Sequence, residues 1–290
     1  MDVYQMVTDR IISIIESGTV PWRKSWSAGT GMPRNLVSKK EYRGINVFLL
    51  SAMSYSSPFW LTYKQATDLG GFVRKGEKST PVIFWKMLDK QNQEQEDDTQ
   101  ATGKIPMLKH YNLFSIEQCD GITIPPDPEE TVNPFTPVEK AEQIIKGYTN
   151  RPEIHYGGNR AFYRVSEDRV QMPHEHTFNT SADFYHILFH ELSHSTGAKH
   201  RLARREVVER HEFGSDDYST EEICADLCAS MLCAVAGIGN ETIEMSASYI
   251  KGWLSVLRSD KKAIVVAAAR AQAGADWILG RKYGVEEEPA

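Results

Sequence analysis

An α+β chain of two domains is the fold class that this sequence predicts, and three observations carry the prediction. Helical and strand-like stretches occur in both halves. Residues 125–137 hold five prolines in thirteen positions, and no regular element can absorb so many missing N–H donors. Charge divides as well: residues 1–88 carry 12 Lys+Arg against 6 Asp+Glu, a net +6, which leaves a net −12 for the rest of the 290 residues. The expected plan is a small α+β domain over 1–124, a linker over 125–137, and a mainly helical domain with a small sheet over 138–290.

In the opening stretch Val3, Met6, Val7, Arg10, Ile11, Ile14 and Ile15 recur at three- and four-residue spacing, an amphipathic helix stopped by Gly18 and Pro21. Gly-, Pro- and Ser-containing sequence follows as far as Arg34. Residues 45–53 read as a helix and residues 60–69 as another, ended by Gly70 and Gly71. Residues 81–88 and 105–118 read as strands, and the polar, mostly acidic stretch 89–103 as the solvated loop between them. Beyond the linker the pattern gives a helix over 138–149 and strands around Ile154, 161–165 and 169–172. Ser166, Glu167 and Asp168 supply a hairpin turn between the last two, and helices run to the end.

The longest apolar run, 263–269, falls far short of the ~20 residues that cross a bilayer. No signal segment opens the chain, so a cytoplasmic protein is expected. Cys224, Cys228 and Cys233 lie on one apolar stretch and read as small core residues, not as a disulfide framework.

Residues 180–197 read T-S-A-D-F-Y-H-I-L-F-H-E-L-S-H-S-T-G, with Thr180 and Asp183 spaced like a helix cap and Gly197 placed as a stop. His190 and His194 stand one helical turn apart and can share a metal, while Glu191 lies beside them. This is H-E-x-x-H, in which two histidines hold zinc and the glutamate acts as general base toward water. His186 is expected to pack. Zn2+ is the expected cofactor, with another divalent metal such as Mn2+ as the alternative.

A catalytic zinc site takes a third protein ligand. His200 completes the longer pattern H-E-x-x-H-x-x-G-x-x-H, yet no methionine-containing turn follows downstream. Glu222 is the rival, on a run that also carries Glu221 and Asp226 as the remaining candidates for that ligand. With Ser219 as a cap, Glu222 could equally serve a capping box. Asp226, one turn beyond Glu222, is placed to accept a hydrogen bond from a ligand histidine. Peptide hydrolysis is the default chemistry, with Tyr156, Tyr163 and Tyr218 as open choices for stabilising an oxyanion.

The first half interleaves rings, cations and amides, the mixture that unpaired bases and their phosphates require. The stretches are P-W-R-K-S-W, with Trp22, Arg23, Lys24 and Trp26; P-R-N, with Arg34 and Asn35; E-Y-R-G-I-N, with Tyr42, Arg43 and Asn46; F-W-L-T-Y-K-Q, with Trp60, Tyr63 and Lys64; and G-G-F-V-R-K-G-E-K, with Arg74, Lys75 and Lys78. The whole-chain charge of −6 argues against a nucleic-acid partner. Residues 1–88 escape that argument, but residues 1–124 total 15 Lys+Arg against 13 Asp+Glu, so the nucleic-acid expectation rests on a basic, aromatic surface from Pro21 to Lys78 and not on the charge of a domain.

Taken together, P-W-R-K-S-W, Y-R-G-I-N, W-L-T-Y-K-Q-A, G-G-F-V-R-K-G-E-K, F-Y-R-V-S-E-D-R-V-Q-M-P, H-E-L-S-H-S-T-G and E-E-I-C-A-D-L closely resemble the plasmid-borne ArdC anti-restriction family over nearly the whole chain. The resemblance implies a single-stranded-DNA-binding domain followed by a zincin-like metallopeptidase domain. It also implies protection of incoming plasmid DNA from host restriction during conjugation, with the restriction machinery as a conceivable protein substrate. It favours Glu222 as third ligand, since the family pattern requires no histidine at position 200.

Overall fold

The computed structural model describes residues 2–18, 32–53, 55–89, 104–123, 137–209, 216–239 and 247–282. Helix α1 (Val3–Glu16) starts where the Asp2 carboxylate accepts a hydrogen bond from the Tyr4 N–H, and it buries Val7, Thr8, Ile11 and Ile15. Then come β1 (Arg34–Asn35), α2 (Ile45–Ser51), β2 (Phe59–Thr62), α3 (Tyr63–Asp68), β3 (Phe72–Val73), β4 (Thr80–Asp89), β5 (Lys104–Ser115) and β6 (Cys119–Asp120). One sheet runs β1-β2-β5-β4, with β1 parallel to β2 and the other pairs antiparallel; β3 and β6 form a short ribbon. Strands β4 and β5 pair from Thr80–Leu113 to Asp89–Lys104. The expected acidic loop between them falls on 90–103, outside the described residues, as do 124–136 of the expected linker.

The expected strand over 105–118 ends at Ser115, with Ile116–Gln118 a short 3-10 turn, and a second element departs further from the sequence reading. Residues 60–69 are not a single helix: Phe59–Thr62 is a strand and only Tyr63–Asp68 is helical. Phe59, Trp60 and Leu61 are consecutive buried residues, the mark of a strand covered on both faces, and a run that short carries no period to tell it from a helix. Thr62 then starts the helix, accepting from the Gln65 N–H while the Gln65 side chain accepts from the Thr62 N–H.

The second half contains α4 (Pro137–Gly147), β7 (Glu153–Tyr156), β8 (Phe162–Arg164), β9 (Arg169–Met172), α5 (Ser181–Thr196), α6 (Arg205–Val208), α7 (Asp216–Ala236), α8 (Ala247–Ser259) and α9 (Ala263–Ile278). Its sheet runs β7-β9-β8, with β8 antiparallel to β9 across the turn at 165–168. Helices α5, α7 and α9 pack together through Leu188, Leu192, Ile223, Leu227, Ala267 and Ala271, all at most 1 % exposed.

That core does not stop at the middle of the sequence. Val7, Ile11 and Ile15 of α1 and Val47 and Phe48 of α2 belong to the same hydrophobic cluster as α5, α7, α8 and α9. Around it, Arg43 pairs with Asp276, the Gly44 N–H donates to Gln272, and the Thr8 hydroxyl donates to the Lys261 carbonyl. Smaller clusters, Leu36 with Phe59, Leu61, Ala66 and Ile116, and Leu50 with Trp60, Val82 and Leu113, hold the first sheet. Among the described residues no helix is long and apolar enough to cross a membrane.

Candidate metal centre and nucleic-acid surface

Thr180 caps α5 as its spacing suggests: its Oγ1 accepts from the Asp183 N–H at 3.1 Å. The helix carries His190 and His194 on one face, opposite α7. Their Nε2 atoms lie 3.1 Å apart, and Glu222 places Oε2 3.3 Å from His190 Nε2 and Oε1 3.6 Å from His194 Nε2. Ligand atoms of these three side chains all lie within 4.8 Å of one another. His200 does not join them; it is exposed and pairs with Asp168 at 3.3 Å. The capping-box reading of Glu222 also fails, because α7 already runs from Asp216 and Ser219 sits inside it.

Two ring nitrogens and a carboxylate aimed at one another set lone pairs against lone pairs, which a shared proton or a cation must relieve. Nitrogen and oxygen donors in this number suit a divalent ion of the zinc class. Without a cation the proton serves. Burial opposes charge on His190, yet the contact with Glu222 outweighs it and lifts the imidazole to about 9. Burial likewise opposes the Glu222 charge, but His190 and His194 hold its carboxyl down at about 2. The Tyr218 hydroxyl, one turn earlier on α7, also bonds Glu222.

Glu191 is 8 % exposed, and among the described residues its carboxylate makes no hydrogen bond. A carboxylate beside the histidines is placed to accept a proton. The outer partners differ from expectation. Asp226 Oδ1 lies closer to the buried His186 Nε2, at 3.3 Å, than to His190 Nδ1, at 3.9 Å. Glu221 instead meets one of the converging histidines, with Oε1 3.0 Å from His194 Nδ1, and Arg204 in turn grips Glu221. Sequence reasoning missed Arg204 altogether. Burial pushes the Cys228 thiol up to about 12 and raises Cys224 as well, so neither offers a thiolate. Of the other tyrosines, Tyr163 donates to Asp168 at 2.8 Å, and Tyr156 stacks on His174.

The first-half residues separate by burial. Trp22, Arg23, Lys24 and Trp26 lie outside the described residues. Trp60 is 2 % exposed with Tyr55 against its edge, so it has no face to offer a base. Asn35 is buried and spends its amide on Tyr42, Gln65 and the Val37 and Ser38 N–H groups. Asn46 clasps Ile83 through both the N–H and the carbonyl. Arg43 is engaged by Asp276, and the half-buried Arg34 lies over the Phe59 ring. Arg74 is tied to Glu77, Asp120 and the Glu117 carbonyl. What stays outward is Tyr63, 62 % exposed, with Lys64, Lys75 and Lys78. Phe72, 56 % exposed on β3, joins them; its place between Gly71 and Arg74 in the glycine-rich stretch was the available signal.

Comparison with known proteins places both halves. Residues 1–114 match the N-terminal domain of anti-restriction factor ArdC, and residues 139–270 match a zincin-like metallopeptidase family. The uncharacterized protein y4eC of Sinorhizobium fredii is 38 % identical, over 96 % of this chain and 91 % of its own length. A DNA primase TraC of Escherichia coli is 34 % identical over 95 % of this chain, which spans only 27 % of that protein. The metal-free crystal structure of the antirestriction ArdC protein from plasmid R388 superposes with a TM-score of 0.75 at 35 % identity, covering 96 % of this chain and 97 % of that one. Its Mn(II)-bound form gives the same TM-score at 34 % identity, over 97 % and 98 %. By these matches over both halves, the chain belongs to the ArdC family of antirestriction proteins, with a zincin-like second half.

Proposed function

We propose that this chain, acting in the cytoplasm, binds single-stranded DNA through residues 1–124 and protects incoming plasmid DNA from restriction during conjugation. In this reading residues 138–290 hold a divalent ion, Zn2+ or Mn2+, between His190, His194 and Glu222. The observation that carries it is the convergence of those three side chains beside the buried Glu191. Relatives that include an antirestriction protein and a DNA primase support DNA as the ligand. The outward Tyr63 and Phe72, with Lys64, Lys75 and Lys78, supply rings for bases and cations for phosphates.

A divalent ion bound there would supply Lewis-acid polarisation of a carbonyl or phosphoryl oxygen. Glu191 accepts a proton on its carboxylate from an attacking water and later returns it to the leaving group. Tyr218 holds Glu222 in place through its hydroxyl. Peptide hydrolysis, with the host restriction machinery as substrate, is the activity such an arrangement could add to DNA binding.

Replacing Glu191 by Gln separates the two roles. The expected outcome is that Mn2+ and single-stranded DNA still bind, while any hydrolysis stops. If protection of transferred DNA survives the substitution, protection rests on DNA binding alone. DNA binding itself should weaken steeply as salt rises, and binding indifferent to salt would remove the nucleic-acid assignment.

A further inference from the structure

We infer that Arg204 is a positioning residue for the metal centre: acting through Glu221, it fixes the ring orientation and tautomer of His194. The inference rests on the metal reading above and assigns a role to two side chains outside the ligand set. Arg204 donates from Nε to Glu221 Oε2 at 2.9 Å and from Nη2 to Glu221 Oε1 at 2.7 Å, a two-pronged grip on the carboxylate. The same guanidinium reaches α5, with Nη2 donating to the Ser193 carbonyl at 2.8 Å and Nη1 to Thr196 Oγ1 at 2.7 Å. Ser193 and Thr196 flank His194, so one side chain clamps both the helical turn that carries the ligand and the carboxylate that orients it. Glu221 Oε1 then lies 3.0 Å from His194 Nδ1.

A carboxylate held in a guanidinium fork stays ionised and can only accept. The Nδ1 atom therefore carries the ring proton, and Nε2 faces His190 and Glu222 as a bare lone pair. Two glycines make room for the clamp. A Cβ on Gly197 would lie 3.0 Å from Arg204 Cζ and 2.5 Å from Val207 Cγ2, and one on Gly274 would lie 3.0 Å from Thr196 Oγ1. Gly197, expected as a helix stop, has an ordinary helical φ of −78°, so it is this space and not a left-handed turn that calls for glycine. A buried ion pair, here 5 % and 7 % exposed, adds little net stability over apolar packing, which leaves geometry as what it contributes.

The test titrates Mn2+ into the full-length protein by calorimetry, comparing wild type, Arg204→Lys, Glu221→Gln and, as a control for the centre itself, His190→Ala. The expected result is Mn2+ affinity weakened about 10- to 100-fold in Arg204→Lys and in Glu221→Gln, below the unfolding temperature of each metal-free variant. Unchanged affinity in both, with wild type binding and His190→Ala not, overturns the inference and leaves the metal centre standing. Wild type taking up no Mn2+ removes the centre and the inference together. Nitrogen NMR of the imidazoles in wild type decides the matter without any variant. His194 protonated at Nδ1 is the expected signature, and His194 protonated at Nε2 contradicts it even if both variants fail to fold.

Discussion

The metal helix pair and the first-half surface are built on opposite principles. Around α5 and α7, polar groups are buried or half-buried and interlocked: Arg204 grips Glu221, Glu221 meets His194, and His190, His194 and Glu222 converge. On α3, β3 and the turn after it, Tyr63, Lys64, Phe72 and Lys75 are exposed to solvent. A site that must hold one small ion needs preorganised donors, whereas a surface for a flexible polymer needs only rings and charges within reach. Substitutions should therefore act collectively in the first region and nearly independently in the second.

The largest expected effect comes from breaking the buried network on one side only. Arg204→Met leaves the Glu221 charge stranded at 7 % exposure, a loss of about 3–5 kcal/mol of stability measured by urea denaturation of the metal-free protein. A loss below about 1 kcal/mol would mean that water screens the pair as it does at a surface. Nearly as large is Phe48→Ala, at about 3–5 kcal/mol, because Phe48 of α2 is fully buried in the core shared with α9. Fluorescence and far-ultraviolet dichroism should then show one shared transition, and two separate transitions would mean that the halves unfold apart.

Smaller effects belong to the surface. Tyr63→Ala and Phe72→Ala should each weaken single-stranded DNA binding by about 1–3 kcal/mol in a fluorescence titration at fixed salt, while stability stays within about 0.5 kcal/mol. Trp60→Ala should do the reverse, costing stability through the sheet and affecting DNA only as folding is lost. Smallest is Lys75→Ala, which should reduce the slope of log affinity against log salt by about 0.7.

Much of this was legible in the sequence, for reasons that differ from residue to residue. His190, Glu191 and His194 announce themselves because helical spacing converts directly into a shared face, and Thr180 confirms the helix independently. Glu222 was visible as a carboxylate downstream and was favoured by the family resemblance, and the packing of α7 on α5 brings it, not His200, beside the two histidines. The pairing of Arg204 with Glu221 had no local signature, since their meeting is set by how the turn after α5 folds back on α7. Trp60, Asn35 and Asn46 had the residue types of a nucleic-acid surface, but composition does not say which way a side chain faces. The proline-rich stretch marked a division of the sequence, yet α1 and α2 complete the core of the second half. Burial of a helix face depends on distant partners, which one-dimensional pattern cannot supply.

The claim on which the rest turns is that Glu222, not His200, completes the centre with His190 and His194. Mn2+ stoichiometry measured on wild type, Glu222→Ala and His200→Ala tests it most directly. One ion per chain in wild type and His200→Ala, with none held by Glu222→Ala at the same free Mn2+, is the expected result; retention by Glu222→Ala and loss in His200→Ala would contradict it.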